Sequence, residues 1–369
     1  MSSSHLNLQK YIKKTTLKAI LTKISYFCSM KARINWIDWA KAWAATTVVF
    51  CHLPQSPESF YFRYLQAVII SIFFFISGYL KRDRGSDRAN WQKYWSSLVV
   101  PYLLFNALIY PYWLLKFYVA HGTLPGIAEA LRPVVGTLLL QHSGSFAEPL
   151  DGPLWYLPAI LMMHVAIDLC RKTRHQHLIM IVLCVVSFVL YAANKYWYFA
   201  PDLTPMGVMR NLPYYYIGYV MGQQRTLLNT RRCRDAAVSL TCLAASVTLF
   251  AWHLQAFYAG EHLLHIVLFY PVNIGFFLGV VYGCKVLGSC PRTVVTLSEG
   301  TLIVIGLHIV VISFVNAAAE HLFGLHTTIC YAWYEAAVIA LAIVALLYPL
   351  IPWAKRHFPT LLGKRQPTP

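Results

Sequence analysis

The chain has 369 residues, of which 58% are hydrophobic and 12% charged, and its mean hydropathy is +0.51. Soluble domains carry roughly 25% charged residues, so this composition excludes an ordinary soluble protein and predicts an integral membrane protein. Lys and Arg outnumber Asp and Glu by 31 to 14, an excess typical of cytoplasmic loops, and since no nucleic-acid-binding motif accompanies it, we expect a lipid bilayer and no nucleic acid as partner.

Hydrophobic runs of about membrane-spanning length predict ten α-helices, so the fold class is all-α, a polytopic transmembrane helix bundle. We expect a basic cytoplasmic extension over 1–33, a transmembrane domain over 34–352 and a cytoplasmic tail over 353–369, with Met30 an alternative start to Met1. The predicted helices are 36–53, 65–80, 97–118, 154–170, 178–196, 206–222, 236–256, 264–286, 298–320 and 330–351.

The distribution of basic residues predicts the orientation of these helices. If the N-terminus is cytoplasmic, 25 of the 31 basic residues fall in inside segments. This bias predicts both termini in the cytoplasm and an even number of spans. The inside segments are then 1–35, 81–93, 171–174, 225–234, 285–292 and 355–365.

The first predicted helix contains the stretch KAWAATTVVFCH, which begins with Lys41 and ends with His52. Eleven residues complete almost three helical turns, so the two side chains lie within about 20° on one face, roughly 16 Å apart along the axis. Asp38 lies on the same face, three residues before Lys41, and is predicted to pair with it. Ionisable groups inside a span are functional candidates, although a lysine that reaches the inner headgroups and an interfacial histidine would also fit this pattern.

The segments after the first helix give weaker indications of function. The connection 119–153 includes two acids, Glu148 and Asp151, and we expect it to be an ordered or re-entrant cap over an outward cavity. The sequence has nine cysteines without a CxxC pair, and HLLH at 262–265 lacks a third ligand. We therefore expect neither a disulfide framework nor a metal site.

Five segments in chain order together resemble the acyltransferase-3 family of membrane acyltransferases, in particular its fucose 4-O-acetylase-like branch of glycan O-acetyltransferases. The Lys-x10-His spacing in the first helix is similar to the R/K-x10-H motif of that family, with Cys51 where the family often has Gly or Tyr. The resemblance extends from residue 34 to about 350. Its five segments are WIDWAKAWAATTVVFCH (36–52), FFFISGYLKR (73–82), GPLWYLPAIL (152–161), NLPYYYIGYVMG (211–222) and SEGTLIVIGLH (298–308).

This resemblance implies transfer of an acyl group, usually acetyl from cytoplasmic acetyl-CoA, to a hydroxyl of a sugar or glycan at the outer face. It implies that His52 is the catalytic histidine and Lys41 its basic partner. We add Asp38, which the i,i+3 spacing puts beside Lys41, to the catalytic candidates. The imidazole, with an unperturbed pKa of about 6.5, suits the removal of a hydroxyl proton near neutral pH. Whether His52 acts as a base or first carries the acetyl group itself stays open.

Other candidates each have an alternative role. For the CoA phosphates we name Lys41 and three arginines of the inner loop, Arg82, Arg84 and Arg88, although such a loop is basic in any case. For the acceptor we name Trp155, Arg210 and His308, although a belt aromatic, a headgroup contact and a packing histidine would look the same. Gly78 is expected to allow close helix packing.

We therefore predict a multi-pass O-acetyltransferase of the cell inner membrane that acts on a cell-surface or exported saccharide. Acetyl-CoA is a co-substrate, and no bound cofactor or metal is expected. The alternative is a transporter or flippase of a lipid-linked glycan. A transporter typically has repeated halves and several central charges, whereas this sequence shows no repeat and one strongly polar span.

Overall fold

The computed structural model describes residues 33–140, 150, 152–197, 203–323 and 330–364. Within these ranges the chain is helical apart from the connections between helices and contains no β-strand, and one isolated bridge joins Gln55 to Tyr331. The all-α prediction is confirmed. The extension predicted over 1–33, apart from its last residue, and the acids Glu148 and Asp151 lie outside the described residues.

A helix occupies each of the ten predicted hydrophobic segments. The helices are α1 Asn35–His52, α2 Phe60–Leu80, α3 Asp87–Tyr94, α4 Val100–His121, α5 Ile127–Leu138, α6 Tyr156–Cys170 and α7 Gln176–Trp197. They continue with α8 Thr204–Gln224, α9 Arg232–Tyr258, α10 His262–Leu287, α11 Arg292–Glu299, α12 Thr301–Phe323, α13 Trp333–Leu347 and α14 Leu350–His357. A π-helical turn, Trp95–Val99, joins α3 to α4, and short 3₁₀ turns lie at Gly152–Trp155 and Pro359–Leu362.

Within the described ranges, eight helical segments are long and apolar enough to cross a membrane. α1 and α8 are not among them, so the count of ten spans stays a prediction. The packing of α1 explains why this helix can be less apolar than a span that faces lipid. It contacts α2, α10, α11, α12 and α13. A helix surrounded by other helices does not need an apolar surface all round, because little of it faces lipid.

The predicted cytoplasmic segments that follow α1 lie together, as far as the structure describes them, at the end of the bundle where α1 begins. The ring of Trp36 packs edge-on against Tyr79, with centroids 5.1 Å apart. The indole of Trp39 donates to the carbonyl of Ser289, and Lys355 pairs with Glu299 at 2.7 Å. We call this the basic end, and the opposite end, where α1 finishes at His52, the cavity end.

The tail predicted from residue 353 is packed on the bundle as far as the structure describes it. α14 runs to His357, and Leu362 in the following 3₁₀ turn is buried. Lys364 pairs with Glu299 at 3.5 Å. This segment therefore covers the basic end.

α2 and α8 cross at a contact between backbones. A Cβ atom at Gly78 would lie 2.0 Å from the carbonyl oxygen of Tyr215, and one at Gly218 would lie 2.1 Å from that of Phe75. Small residues allow membrane helices to approach this closely. The expected packing role of Gly78 is confirmed.

A buried ion pair joins α9 to α10 near the basic end. Lys285 lies 3.1 Å from the carboxylate of Asp235 and donates to the carbonyl of Asn229 at 2.9 Å. Both side chains are almost fully buried, and the half-exposed Arg234 also binds Asp235. The pair therefore fixes the connection between the two helices.

Lys285→Met is expected to lower the free energy of unfolding by about 3 kcal/mol, because it leaves the buried Asp235 with Arg234 as its one charged partner among the described residues. Thermal unfolding of the detergent-solubilised protein measures the change. The double variant Asp235→Asn with Lys285→Met should recover part of the loss, since it removes both charges. A double variant less stable than Lys285→Met would contradict this account.

Candidate active site

A cavity of about 410 Å³ opens at the cavity end of the bundle. It lies between the last turn of α1, α2, the turn at Gly152–Trp155, α8 and α12. Its size falls in the range of about 300–1,000 Å³ that is usual for small-molecule sites. The described residues that line it are Val48, Cys51, His52, Gln66, Ile69, Ile70, Gly152, Pro153, Trp155, Tyr156, Arg210 and Ile305.

His52 presents one ring nitrogen to this cavity. Its Nδ1 lies 2.7 Å from the carbonyl oxygen of Val48, one turn earlier in α1. A carbonyl oxygen only accepts, so Nδ1 carries the hydrogen and the lone pair is on Nε2. The side chain is exposed and lines the cavity. His52 is therefore held in the tautomer that a proton acceptor needs.

His308 lies beside His52 and away from the cavity wall. The two rings meet edge to face with centroids 4.8 Å apart, and His308 is fully buried. Its Nδ1 donates to the carbonyls of Ile305 and Val304 at 2.7 and 3.1 Å. Its Nε2 has no hydrogen-bond partner among the described residues. The structure thus places this candidate for acceptor binding next to the imidazole of His52.

Trp155 and Arg210 both lie on the wall of the cavity. The indole packs on α8 so closely that a Cβ at Gly207 would lie 2.3 Å from its Cζ3 atom. The guanidinium of Arg210 lies over the ring of Phe269, 5.7 Å from its centroid. These two candidates from separate segments therefore share one space with His52.

Lys41 and Asp38 lie at the other end of α1, where Ser298 contacts both. Lys41 donates to the carbonyl of Ser298 at 2.7 Å, and the hydroxyl of Ser298 donates to Asp38 at 2.6 Å. Asp38 is buried. It is 14 residues from His52, roughly 21 Å along the helix, so it holds α11 through Ser298 and does not reach the cavity.

The three candidate arginines of the inner loop lie at the basic end. Arg82 donates to the carbonyls of Tyr79 and Lys81 at 2.9 and 3.0 Å. The backbone N–H of Arg84 donates to the side chain of Asn90, and Arg88 is exposed. The loop that carries them is therefore ordered at the surface of the basic end.

Buried ionic contacts hold this loop in place. Lys81 pairs with Asp168 at 2.7 Å, and both contact the hydroxyl of Tyr94. A hydrogen bond from Arg171 holds the pKa of the Asp83 carboxyl well below its usual range. A lowered pKa means that this contact stabilises the loop at neutral pH and is lost as the pH falls into the acid range.

Sequence reasoning missed several residues that shape the site. Gln66 and Ile69 line the cavity from α2, and the absence of a side chain at Gly207 leaves room for the indole of Trp155. Nothing in their local sequence marks them, because each acts through a contact with a distant segment. The GPLWYLPAIL segment did contain Tyr156 next to Trp155, and both line the cavity.

The HLLH segment has a packing role in the structure. The rings of His253 and His265 stack with centroids 3.8 Å apart, and each Nδ1 donates to the backbone carbonyl of the other residue. Among the described residues, no group of three His, Cys, Asp or Glu side chains could hold a metal ion.

The arrangement can support proton transfer to a neutral imidazole in a cavity that also holds an aromatic wall and one cation.

Comparison with known proteins gives a single kind of match. A family model described as an acyltransferase domain matches residues 34–357. No curated protein and no solved structure matches the chain.

Proposed function

The chain belongs to the acyltransferase-3 family, and we propose that this multi-pass membrane acyltransferase moves acetyl from cytoplasmic acetyl-CoA to a saccharide hydroxyl. The protein would lie in the cell inner membrane, and the acceptor would be a cell-surface or exported glycan that reaches His52 from the cavity end. The observation that carries the proposal is the His52 imidazole on the cavity wall, whose Nδ1 is held by the carbonyl of Val48 so that Nε2 is the nitrogen left for a substrate.

The chemistry of this proposal balances with His52 as the base. Nε2 takes the proton of the acceptor hydroxyl as the oxygen attacks the carbonyl carbon of the thioester. The carbon–sulfur bond breaks, the thiolate leaves, and the imidazolium returns its proton to the sulfur. The products are the acetyl ester and free CoA. In the alternative route, acetyl would first form a bond with Nε2 and then pass to the hydroxyl.

The donor would enter from the basic end. Arg82 and Arg84 lie there on an ordered loop and Arg88 lies in the first turn of α3, where guanidinium groups suit the phosphates of CoA. Lys41 lies at the same end of α1 as this loop, and its helix leads to His52. We propose that the pantetheine arm runs along α1 and brings the thioester to the cavity.

The direct test supplies the purified, reconstituted protein with radiolabelled acetyl-CoA and a panel of saccharides. Label in the saccharide that mild alkali releases would identify an acetyl ester. Transport of a lipid-linked glycan without any label transfer would instead favour the flippase alternative. Hydrolysis of acetyl-CoA without an acetylated product would contradict the proposed acceptor class.

Lys41→Met is expected to raise the KM for acetyl-CoA roughly 10-fold, since one charged contact to the donor is lost. Lys41→Arg should keep most of the affinity. The control is Lys172→Met, which removes an exposed lysine paired with Asp87 at the same end. An unchanged KM for acetyl-CoA in Lys41→Met, with the protein folded, would show that Lys41 does not bind the donor.

A further inference from the structure

Arg210 is a cation on the wall of the cavity that the proposed transfer does not use. From its surroundings we infer that the acceptor carries an oxyanion, a carboxylate or a phosphate, close to the hydroxyl that is acylated, and that Arg210 binds it. This inference rests on the proposed function and names the class of its acceptor.

The first observation is the charge of the cavity wall. Arg210 is the one Lys, Arg, Asp or Glu among the lining residues that the structure describes. Its Nε is buried and has no hydrogen-bond partner within the described part of the chain. A buried guanidinium nitrogen without a partner is stabilised by a negative charge and by acceptors that offset its lost hydration. A bound oxyanion supplies both.

The second observation is that the neighbours of Arg210 toward the interior are neutral. Tyr214 lies one turn further along α8, and its ring is 5.7 Å from that of Tyr270 on α10. Both hydroxyls are within electrostatic range of the guanidinium. Both are buried without a partner among the described residues. These groups do not neutralise Arg210, so its charge is directed to what enters the cavity.

The third observation is the separation between Arg210 and the proposed donor site. His52 and Arg210 line the same cavity, whereas Lys41 and the arginines of the inner loop lie at the basic end. The phosphates of CoA would be held at that end. The anion at Arg210 therefore belongs to the molecule that presents its hydroxyl to His52, which is the acceptor.

The other residues that line the cavity suit a sugar ring. Trp155 and Tyr156 provide aromatic surface, and Gln66 provides an amide that can donate to or accept from a hydroxyl. An aromatic wall, an amide and one arginine are the groups expected for a saccharide with an acidic substituent.

The experiment compares three acceptors that share one neutral saccharide: the parent, its uronic acid and its phosphate monoester. The wild-type protein is expected to acetylate at least one anionic form with a kcat/KM at least about 30-fold above that of the parent. Arg210→Gln should lose that preference, with a much larger fall in kcat/KM on the anionic forms than on the parent. Whichever anionic form responds identifies carboxylate or phosphate as the group that is bound.

Two variants and a binding measurement keep this test decisive. Arg210→Lys retains the charge and should keep part of the preference, and Arg132→Gln removes an exposed arginine of α5 as the matched control. Calorimetric titration of the uronic acid and the phosphate ester into reconstituted protein reports binding without turnover. Arg210→Gln should abolish the heat of binding seen with the wild type.

The results that would overturn the inference differ from those that overturn the function. Equal losses on all three acceptors in Arg210→Gln, or a raised KM for acetyl-CoA, would show that Arg210 does not bind an anion of the acceptor. So would a wild type without preference for either anionic form. Label transfer to the neutral parent in these cases would leave the proposed acetyl transfer standing.

Discussion

Replacing His52 with glutamine is expected to lower the rate of acetyl transfer at least about 100-fold while the protein folds normally, because the general base is lost. Glutamine can still donate to the carbonyl of Val48 but has no nitrogen lone pair to accept a proton. The loss should appear in kcat. The KM for acetyl-CoA should change little, since the donor is held at the basic end.

The matched control for this variant is His121→Gln. His121 makes the same contact, with Nδ1 3.0 Å from the carbonyl of Phe117 four residues earlier, but it is exposed and does not line the cavity. Its replacement should leave transfer unchanged. If His52→Gln retained more than about one tenth of the wild-type rate, the role of His52 as the base would be wrong.

Replacing Gly218 with valine is expected to separate α2 from α8 and to lower the free energy of unfolding by about 3 kcal/mol. The new Cβ would overlap the carbonyl oxygen of Phe75, a backbone atom that no side-chain rotation can move. The cavity should be lost as well, since α2 supplies Gln66 and α8 supplies Arg210. Thermal unfolding followed by size-exclusion chromatography measures the stability, and the transfer assay measures the site.

Gly126→Ala provides the comparison for Gly218→Val. A Cβ at Gly126 would have its nearest neighbour at 3.9 Å, an ordinary contact with the side chain of Glu129. Stability and transfer should therefore stay close to those of the wild type. A Gly218→Val protein with unchanged thermal stability would contradict the close helix contact.

Sequence periodicity found the long helices and missed the short ones. The ten predicted segments depend on apolar runs long enough to cross a membrane, and a helix is present in each. α3, α5, α11 and α14 have 8 to 12 residues and mix polar with apolar positions, so hydropathy does not mark them. Two of these helices, α11 and α14, cover the basic end, where the sequence suggested loops and a tail.

The features of the candidate site also fall into two groups: those that follow from local helix geometry and those that depend on contacts between distant segments. That Lys41 and His52 share one face of α1 follows from helix geometry alone, because the period of 3.6 residues fixes it. That Asp38 contacts Ser298 and not the cavity could not be predicted, since the partner is 260 residues away. His308, which the resemblance made a candidate for acceptor binding, is placed against His52 by the packing of α12 on α1.

The sequence by itself determined the class of the protein, its long helices and the position of Lys41 and His52 on one face of α1. Composition and helical period are local properties of the chain. Only the tertiary structure decided that His52, Trp155 and Arg210 meet in one cavity while Lys41 and Asp38 lie at the far end. The physical reason is that contacts between helices depend on how their side chains and glycines fit together. That fit joins segments more than a hundred residues apart and leaves no pattern within any one of them.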